Sequence, residues 1–533
     1  MFTTLSEKIS KYRFAHTLPL FLLAAFELWY FLFLNSNIES LINADDASEL
    51  LLGRLLAEEH AILSRSWFYS TELRFINTNL VYGPLFLLFR NWHTVRILSL
   101  IILHLLMIGS FYYFIRQFNR KELFPASALA IMVPLTGTYC WVVVRIPYYI
   151  PYIVISFLTL GFLFGYLSAE GRKKRIYLVI SAVLSLLACA GGARQAIALY
   201  IPLLLTSLFL LYEYRKNPES RDQKRVQDYL VFAGILFAAA CLGFLINSTV
   251  MQKLYSFRSW SFGFSFFDFN RLKEVTDGLL SSFGYHEGAV TFKRALGNGI
   301  AMILFVSTFL SIFYALRNRN RISEQYRFLA LFYVSAFIVF ALLYSFTTMY
   351  YQYRYNIPFF VFSFPLIFLW INESGWFSGI RPLLTAGLVM ILCLGALMTY
   401  NEERISVIMD DTNEQISAMS EMLRRESYTN GYSSYTCANI LTELSNGELD
   451  VWFWNDPVLS EMERIDDIYE WLQLKRHKTE IPEGKVFLLL SEDNLENFRF
   501  KEKLSEDHLL MKTDELFLWG FASHDEMIQV LEN

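Results

Sequence analysis

Long runs of apolar residues, separated by short polar segments, dominate the first 400 residues of the chain. A helix needs roughly 20 apolar residues to cross the hydrocarbon core of a bilayer. By this measure the pattern predicts about eleven membrane-spanning helices. They cover residues 18–34, 95–115, 123–143, 149–168, 176–193, 195–212, 229–249, 299–316, 326–346, 355–371 and 383–400.

Lysine and arginine residues concentrate in alternate connections between these runs, at 116–121, 172–175, 215–225 and 317–321. Because cytoplasmic loops of membrane proteins are enriched in Lys and Arg, this alternation predicts a cytoplasmic N-terminus. Lys8 and Lys11 precede the first apolar run, and no small-residue cleavage site follows that run. We therefore expect an uncleaved first helix in a multi-pass protein of the cell membrane.

Three segments are predicted to lie outside the membrane on the far side: residues 35–94, residues 250–298 and everything after about 401. The first contains two stretches with helical apolar spacing, Leu50 to Ala61 and Thr78 to Phe89, as expected of helices lying along the interface. The second is rich in aromatic residues and could cap a lipid-facing groove. These are Phe257, Trp260, Phe262, Phe264, Phe266, Phe267 and Phe269.

The composition becomes polar and charged after Tyr400. Helix-like stretches at 411–426, 434–445 and 463–474 alternate with strand-like stretches at 448–454, 485–490 and 516–521. This alternation predicts a small α/β domain over 401–533, outside the cytoplasm. The expected fold class is thus a mostly α polytopic membrane domain over 1–400 with an extracytoplasmic α/β domain.

Composition supports the membrane class, since 54% of the residues are hydrophobic and only 18% are charged, against about 25% in soluble proteins. The net charge of −4 gives no sign of a nucleic-acid partner. The five cysteines are scattered and show no CxxC or His/Cys spacing, so neither a disulfide framework nor a zinc site is predicted. No phosphate-loop or dinucleotide fingerprint occurs, and no cofactor is expected.

One polar stretch, Asn43 to Glu49, follows the first apolar run and contains the adjacent carboxylates Asp45 and Asp46. A carboxylate at the membrane surface can accept the proton of an attacking hydroxyl group, which is general-base chemistry. The same residues are also an ordinary helix start, and the pattern alone leaves both interpretations open. With Glu58 they could supply oxygen ligands to a divalent ion, although nothing in the sequence requires a metal.

Three arginines interrupt apolar sequence at the predicted outer ends of spans: Arg145, Arg194 and Arg354. Ionisable groups at this depth are costly and tend to face a cavity with a partner. A guanidinium group matches the oxygens of a phosphate bidentately, so these residues are candidates for binding a lipid phosphate. The alternatives are that they reach toward the interface or pair with acidic residues of the bundle.

Further candidates for a substrate pocket lie near these groups or in the outer loops. Glu58 and His60 could line the same site but are equally typical of a solvated helix face, and His286 and Glu287 could form a gate or a plain loop. Gln195 and Tyr353 adjoin two of the arginines. The full set of pocket candidates is Glu58, His60, Gln195, His286, Glu287 and Tyr353.

Taken together, the acidic pair opening the first outer loop, the interfacial helices, the span count and the outer C-terminal domain resemble the GT-C superfamily of membrane glycosyltransferases. The nearest likeness is to the protein O-mannosyltransferase and aminoarabinose-transferase type. Arg354-Tyr355-Asn356-Ile357-Pro358 is similar to an Arg-Tyr…Pro segment in late spans of such proteins.

The resemblance implies an enzyme that moves a hexose or pentose from a polyprenyl-phosphate carrier to an extracytoplasmic acceptor, either a cell-envelope glycan, a lipid or a protein. It implies an inverting reaction with Asp45 as the base and Asp46 in support. A transporter or flippase of lipid-linked glycans, a polymerase or ligase of such glycans, and a non-catalytic scaffold remain alternatives. No matching halves with broken helices, as in many transporters, are seen.

Overall fold

The computed structural model describes residues 13–217, 223–258, 263–288, 291–409, 412–456 and 459–532. Lys8 and Lys11 of the predicted basic N-terminal segment, and Trp260 and Phe262 of the aromatic loop, lie outside these ranges. The helices before the C-terminal domain are α1 (Arg13–Leu41), α2 (Ala44–Glu58), α3 (Asn79–Phe86), α4 (Trp92–Ile115), α5 (Phe124–Met132), α6 (Gly137–Tyr139), α7 (Ile150–Ser168), α8 (Gly171–Ala190), α9 (Ile201–Lys216), α10 (Gln223–Ile246), α11 (Gln252–Leu254), α12 (Phe269–Ser281), α13 (Phe292–Arg317), α14 (Glu324–Ser345), α15 (Ile357–Glu373) and α16 (Arg381–Met409).

Within the described ranges, nine helices are long and apolar enough to cross a membrane, or ten if one bent pair counts as a single span. The chain is therefore a multi-pass membrane protein, and the count is close to the predicted eleven. The predicted span at 176–193 corresponds to α8, which begins with four consecutive basic residues, 172–175, and is not among the nine. α2 and α3 fall in the first predicted outer loop, where interfacial helices are expected.

The predicted span over 123–143 is broken in two rather than continuous. α5 ends at Met132, and the next helical segment, α6 continued by the π-helical stretch Cys140–Arg145, leaves it at an angle of 97°. Pro134 explains the break, because proline has no N–H to donate and disfavours the helical conformation of the residue before it. Val133 is accordingly extended, with ψ 129°. The bend turns Arg145 into the bundle, beside Glu403 of α16.

The strands of the C-terminal domain are β2 (Asn430–Ser434), β3 (Asp450–Trp454), β4 (Gln473–Leu474), β5 (Val486–Ser491), β6 (Leu509–Lys512) and β7 (Leu516–Phe521). Five of them form a sheet of order β3-β2-β5-β7-β6, in which β3, β2 and β5 are parallel and β7 is antiparallel to both of its neighbours, β5 and β6. The sixth, β4, pairs antiparallel with a short strand between α2 and α3, β1 (Trp67–Phe68). The helices are α17 (Thr412–Arg425), α18 (Tyr435–Leu444), α19 (Glu492–Asn497) and α20 (His524–Glu532).

The expected α/β fold of the C-terminal domain is confirmed, with one local exception. The stretch 463–474, predicted as a helix, consists of turns that end in β4. Its last two residues pair with β1 of the membrane domain, a partner about 400 residues earlier that local spacing does not reveal. The domain also shares a core with the bundle, because Ile42 and Ala47 are buried among its apolar residues. The end of the bundle that carries this domain is termed the upper end.

Candidate active site

The acidic pair opens α2 at the upper end, and its two carboxylates face different surroundings. Asp46 is 3% exposed and completes a capping box with Asn43, whose N–H donates to Asp46 Oδ2 over 3.2 Å while its own Oδ1 accepts from the Asp46 N–H over 3.1 Å. Asp45 is exposed, and its Oδ1 accepts a hydrogen bond of 2.5 Å from the hydroxyl of Tyr435 in α18. The helix-start interpretation therefore holds for Asp46, and Asp45 is the carboxylate that a substrate can reach.

Burial raises the pKa of Asp46 from its ordinary value to about 7, although the positive charges of Arg96 and Arg145 oppose this shift. The Arg96 guanidinium also donates to the backbone carbonyl of Asp46 over 3.1 Å, which ties α2 to α4. Asp46 is therefore a buried carboxyl group with a pKa near neutral pH, and it lies beside two cations. Its place in the capping box fixes the position of Asp45, its exposed neighbour.

The raised pKa of Asp46 makes stability depend on pH. Between about pH 4 and pH 7 the folded protein retains a proton that the unfolded chain has released, so this contribution is present at low pH and is lost as pH rises through 7. From pH 5 to pH 8 the loss amounts to about 2–3 kcal/mol. In Asp46→Asn this component is expected to disappear, which thermal unfolding in detergent at the two pH values would measure. If stability fell by the same amount from pH 5 to pH 8 in wild type and in Asp46→Asn, the raised pKa of Asp46 would not be the cause of the fall.

Arg145, at the end of the π-helical stretch, lies between the acidic pair and α16. Its Nη1 donates to Glu403 Oε2 over 3.0 Å, while its buried Nε has no hydrogen-bond partner. Arg145 therefore pairs with an acidic residue of the bundle, which was one of the alternatives. Its Nε–H group remains available to a ligand. Its effect on Asp46 places it within electrostatic reach of the α2 carboxylates.

Arg194 lies where α8 ends and the next span begins, and aromatic rings surround its guanidinium. The group is 5.3–5.4 Å from the ring centres of Tyr149, Tyr152 and Tyr355, and its Nη1 donates to the Tyr149 hydroxyl over 2.8 Å. Its Nε forms an ion pair with Glu72 Oε1 over 3.2 Å. Cation–π contacts and this pair hold the charge in one place at the upper end.

Arg354 differs from the other two predicted arginines, since no carboxylate of the described residues forms an ion pair with it. Its guanidinium lies 5.8 Å from the ring centre of Trp141, and its buried Nε has no hydrogen-bond partner. Trp141 belongs to the same π-helical stretch as Arg145 and precedes it by four residues. Arg354 therefore retains the donors that an anionic ligand requires.

Sequence reasoning missed a fourth arginine, Arg74, in the first outer loop. Its Nη2 donates to Glu49 Oε1 over 2.6 Å, and its guanidinium lies 4.1 Å from the ring centre of Tyr148. It is 8% exposed, and its Nε and Nη1 have no partner. Because Glu49 stands three residues after Asp46, both face one side of α2. The one signal in the sequence is that Arg74 is among the few charged residues between 61 and 89.

Four arginines thus lie at the upper end of the bundle, near the π-helical stretch Cys140–Arg145 and the segment that leads into α7: Arg74, Arg145, Arg194 and Arg354, termed the arginine cluster. Tyr148 and Tyr149 connect its members, because Tyr148 contacts Arg74 and Tyr149 accepts from Arg194. A narrow pocket beside them is lined by residues that include Glu72, Arg74, Tyr152, Arg194 and Gln195. Two members of the cluster adjoin α2, since Arg145 acts on Asp46 electrostatically and Arg74 binds Glu49 of the same helix.

Most other predicted pocket residues lie apart from this cluster. Glu58 is thirteen residues along α2 from Asp45, about 20 Å at the helical rise, and it pairs with Arg54 in solvent. His60 is exposed in the turn that follows, with φ 50°. His286 and Glu287 are exposed, and the backbone of His286 is held on both sides by Asn298.

The remaining two pocket candidates adjoin the cluster. Gln195 is 2% exposed and donates to the backbone carbonyl of Tyr152 over 2.9 Å, so it supports the Arg194 segment. Tyr353 is 53% exposed and packs edge-on against Tyr351. Nowhere in the described ranges do three or more His, Cys, Asp or Glu side chains gather in a way that could hold a metal ion.

Comparison with solved structures places this architecture. The structure of ArnT from Cupriavidus metallidurans bound to undecaprenyl phosphate matches over 95% of this chain and 98% of its own, with a TM-score of 0.54 at 13% identity. ArnT from the same organism in the apo state matches over 89% and 93%, with a TM-score of 0.50 at 11% identity.

The chain has a GT-C-type fold. This confirms the fold expected from the resemblance of its layout to aminoarabinose transferases. No protein-family model and no curated protein matches the chain by sequence. In this GT-C-type fold the acidic pair and the arginine cluster occupy the upper end, together with the C-terminal domain.

Proposed function

We propose that this protein is a membrane glycosyltransferase that transfers a sugar from a polyprenyl-phosphate donor to an acceptor hydroxyl outside the cytoplasm. The nearly full-length likeness to a GT-C-type transferase whose structure contains undecaprenyl phosphate supports this proposal. The observation that carries it is that an exposed carboxylate and an arginine cluster lie at the same end of that fold. These are the two groups that displacement of a lipid phosphate by a hydroxyl requires.

Asp45 is the proton acceptor in this proposal. It is exposed, and the hydrogen bond from Tyr435 occupies only its Oδ1. Asp46 holds Asp45 in position, because the Asp46 carboxylate accepts the capping-box hydrogen bond that begins α2. The roles expected from the family resemblance, Asp45 as base and Asp46 in support, therefore suit the different surroundings of the two side chains.

The arginine cluster is suited to the leaving phosphate. Negative charge grows on that phosphate as its bond to the sugar breaks, and fixed cations in a poorly hydrated site stabilise this change. Arg354 is the foremost ligand because it lacks an acidic partner in the described chain. Arg74 and Arg145 contribute unpartnered N–H groups, and Arg194 is held in place by Glu72 and the tyrosines.

The reaction follows as a single displacement. The acceptor oxygen forms a bond to the anomeric carbon on the face opposite the phosphate, the bond from that carbon to the phosphate oxygen breaks, and Asp45 takes the hydroxyl proton. Polyprenyl phosphate leaves with the bonding electrons, and the anomeric configuration inverts. A hexose or a pentose fits this chemistry equally well.

The membrane orientation supports an extracytoplasmic acceptor. The basic clusters lie at helix termini on the side of the bundle opposite the C-terminal domain. There Arg225 pairs with Glu324, and Arg319 pairs with Glu213. Since Lys and Arg favour the cytoplasmic side, the acidic pair, the arginine cluster and the C-terminal domain belong outside.

Arg354→Gln is expected to weaken binding of undecaprenyl phosphate by about 10- to 100-fold, the loss typical of a hydrogen bond to a charged group. Native mass spectrometry of the detergent-purified protein, titrated with undecaprenyl phosphate, would measure the change. Arg319→Gln is the matched control, because it removes the same charge at the opposite end of the bundle.

Two outcomes would contradict the proposal at different points. Equal binding of undecaprenyl phosphate and undecaprenol by the wild-type protein would refute a phosphate-carrier substrate. Unchanged affinity in Arg354→Gln alone would remove Arg354 from the site. Release of undecaprenyl phosphate from a panel of undecaprenyl-phosphate-linked glucose, mannose, galactose, N-acetylglucosamine and arabinose would then identify the sugar.

A further inference from the structure

One face of α18 is applied to the helix that carries the acidic pair. Its residues Tyr435, Asn439 and Glu443 are spaced by four and therefore lie in one row along the helix. Tyr435 donates to Asp45, and Asn439 Nδ2 donates to Ser48 Oγ over 2.7 Å. Glu443 accepts two hydrogen bonds from the Arg96 side chain, from Nε over 2.6 Å and from Nη2 over 2.5 Å.

This row holds the C-terminal domain in a fixed register with the acidic pair. Asn439 and Glu443 are 2% and 6% exposed, and Arg96 connects Glu443 to the backbone carbonyl of Asp46. The asparagine and the ion pair are ordinary interface contacts. Tyr435 differs from them, because its partner is the exposed carboxylate assigned above as the proton acceptor.

Tyr435 is itself held at its backbone and at its ring. Its backbone N–H donates to Asp456 Oδ1 over 2.9 Å, and its ring packs against Phe453 with centres 5.4 Å apart. Burial and the charge of Asp45 raise the pKa of Tyr435 well above its ordinary value, so its hydroxyl remains a donor. A rigid, protonated hydroxyl therefore meets one oxygen of Asp45.

We propose that Tyr435 is a positioning residue, supplied by the C-terminal domain, that holds Asp45 with Oδ1 occupied and Oδ2 presented to the acceptor hydroxyl. This inference rests on the proposed function. A hydrogen bond donated to a carboxylate stabilises its anionic form, which is the form that accepts a proton. The C-terminal domain then completes the active site, and the acceptor must approach Asp45 beside α18.

The contact can be tested without any assay of activity. A water-soluble carbodiimide modifies the carboxyl groups that it can reach, so peptide mapping of full-length protein treated at one fixed pH gives a labelling rate for Asp45. In Tyr435→Phe this rate is expected to rise by about 10-fold, because Oδ1 of Asp45 loses the hydroxyl that covers it. In Asn439→Ala, which removes a contact one turn along the same face, the rate should stay unchanged. Equal labelling rates of Asp45 in wild type and Tyr435→Phe would overturn the proposal.

Kinetics provide the second readout. With a donor from the undecaprenyl-phosphate-sugar panel, Tyr435→Phe is expected to lower kcat/KM by about 10-fold and to leave the KM for donor unchanged. Asn439→Ala should keep the wild-type kcat. A loss of equal size in both variants would mean that α18 only supports the fold. Wild-type protein that turns over no donor refutes the proposed function and this role together, whereas turnover with an unchanged labelling rate of Asp45 in Tyr435→Phe refutes only the role of Tyr435.

Discussion

Asp45→Asn is expected to reduce sugar transfer by about 10²- to 10⁴-fold, the usual contribution of a positioned general base. Asparagine keeps the shape of the side chain and can still accept a hydrogen bond from Tyr435, but it cannot take a proton from the acceptor. Because Asp45 is exposed and outside the arginine cluster, folding and undecaprenyl phosphate binding should be unaffected. Release of undecaprenyl phosphate from the donor that the wild-type protein uses would measure the loss.

Glu58→Gln is the matched control for this experiment. Glu58 is on the same helix, its side chain is 53% exposed, and among the described residues it forms an ion pair only with Arg54, one turn away. This variant should transfer sugar at the wild-type rate. If Asp45→Asn kept full activity while Glu58→Gln also did, Asp45 would be removed as the base, and Asp46 would be the next carboxylate to test.

Glu443→Gln is expected to destabilise the protein by about 3–5 kcal/mol, the cost of leaving a buried charge without its partner. The pair between Arg96 and Glu443 joins α4 of the bundle to α18, and the two side chains are only 2% and 4% exposed. Loss of the carboxylate leaves the Arg96 guanidinium charged and uncompensated inside the interface. Thermal unfolding in detergent would show the effect, and proteolytic release of the C-terminal domain should become faster.

Two variants show whether burial is the cause. Glu448→Gln removes the same charge from the exposed pair with Arg424 in the same domain and should cost no more than about 1 kcal/mol. Replacing both partners, Arg96→Met with Glu443→Leu, removes the unpaired charge and should restore most of the stability. Equal losses of stability in Glu443→Gln and Glu448→Gln would show that the interface around Arg96 is hydrated and that burial does not strengthen the pair.

Local sequence was a good guide wherever a single segment carries the information. The apolar runs predict nearly all the spans, and the strand-like stretches at 448–454, 485–490 and 516–521 correspond to β3, β5 and β7. The interpretation of the acidic stretch as a helix start agrees with α2, where Asn43 and Asp46 form a capping box between residues three apart. The bend after α5 was not predicted although Pro134 marks it, because the hydrophobicity of a segment does not show whether the helix is straight or bent.

The sequence was a poor guide to the partners of polar groups. For Arg145 the sequence left open both phosphate binding and pairing with an acidic residue of the bundle, and spacing could not identify its partner as Glu403, 258 residues later. Arg74 was overlooked because a lone arginine in an outer loop resembles any surface residue until Glu49 and Tyr148 are seen around it. Tyr435 carried no signal of its own.

The sequence by itself determined that the chain lies in a membrane and how many times it crosses, within one or two helices. These properties depend on the period and length of apolar segments, which act over tens of residues at most. Only the tertiary structure decided that Asp45 meets a tyrosine 390 residues away and that four arginines share one end of the bundle. The physical reason is that a buried charge or an oriented carboxylate is defined by what packs against it, and those neighbours come from distant parts of the chain.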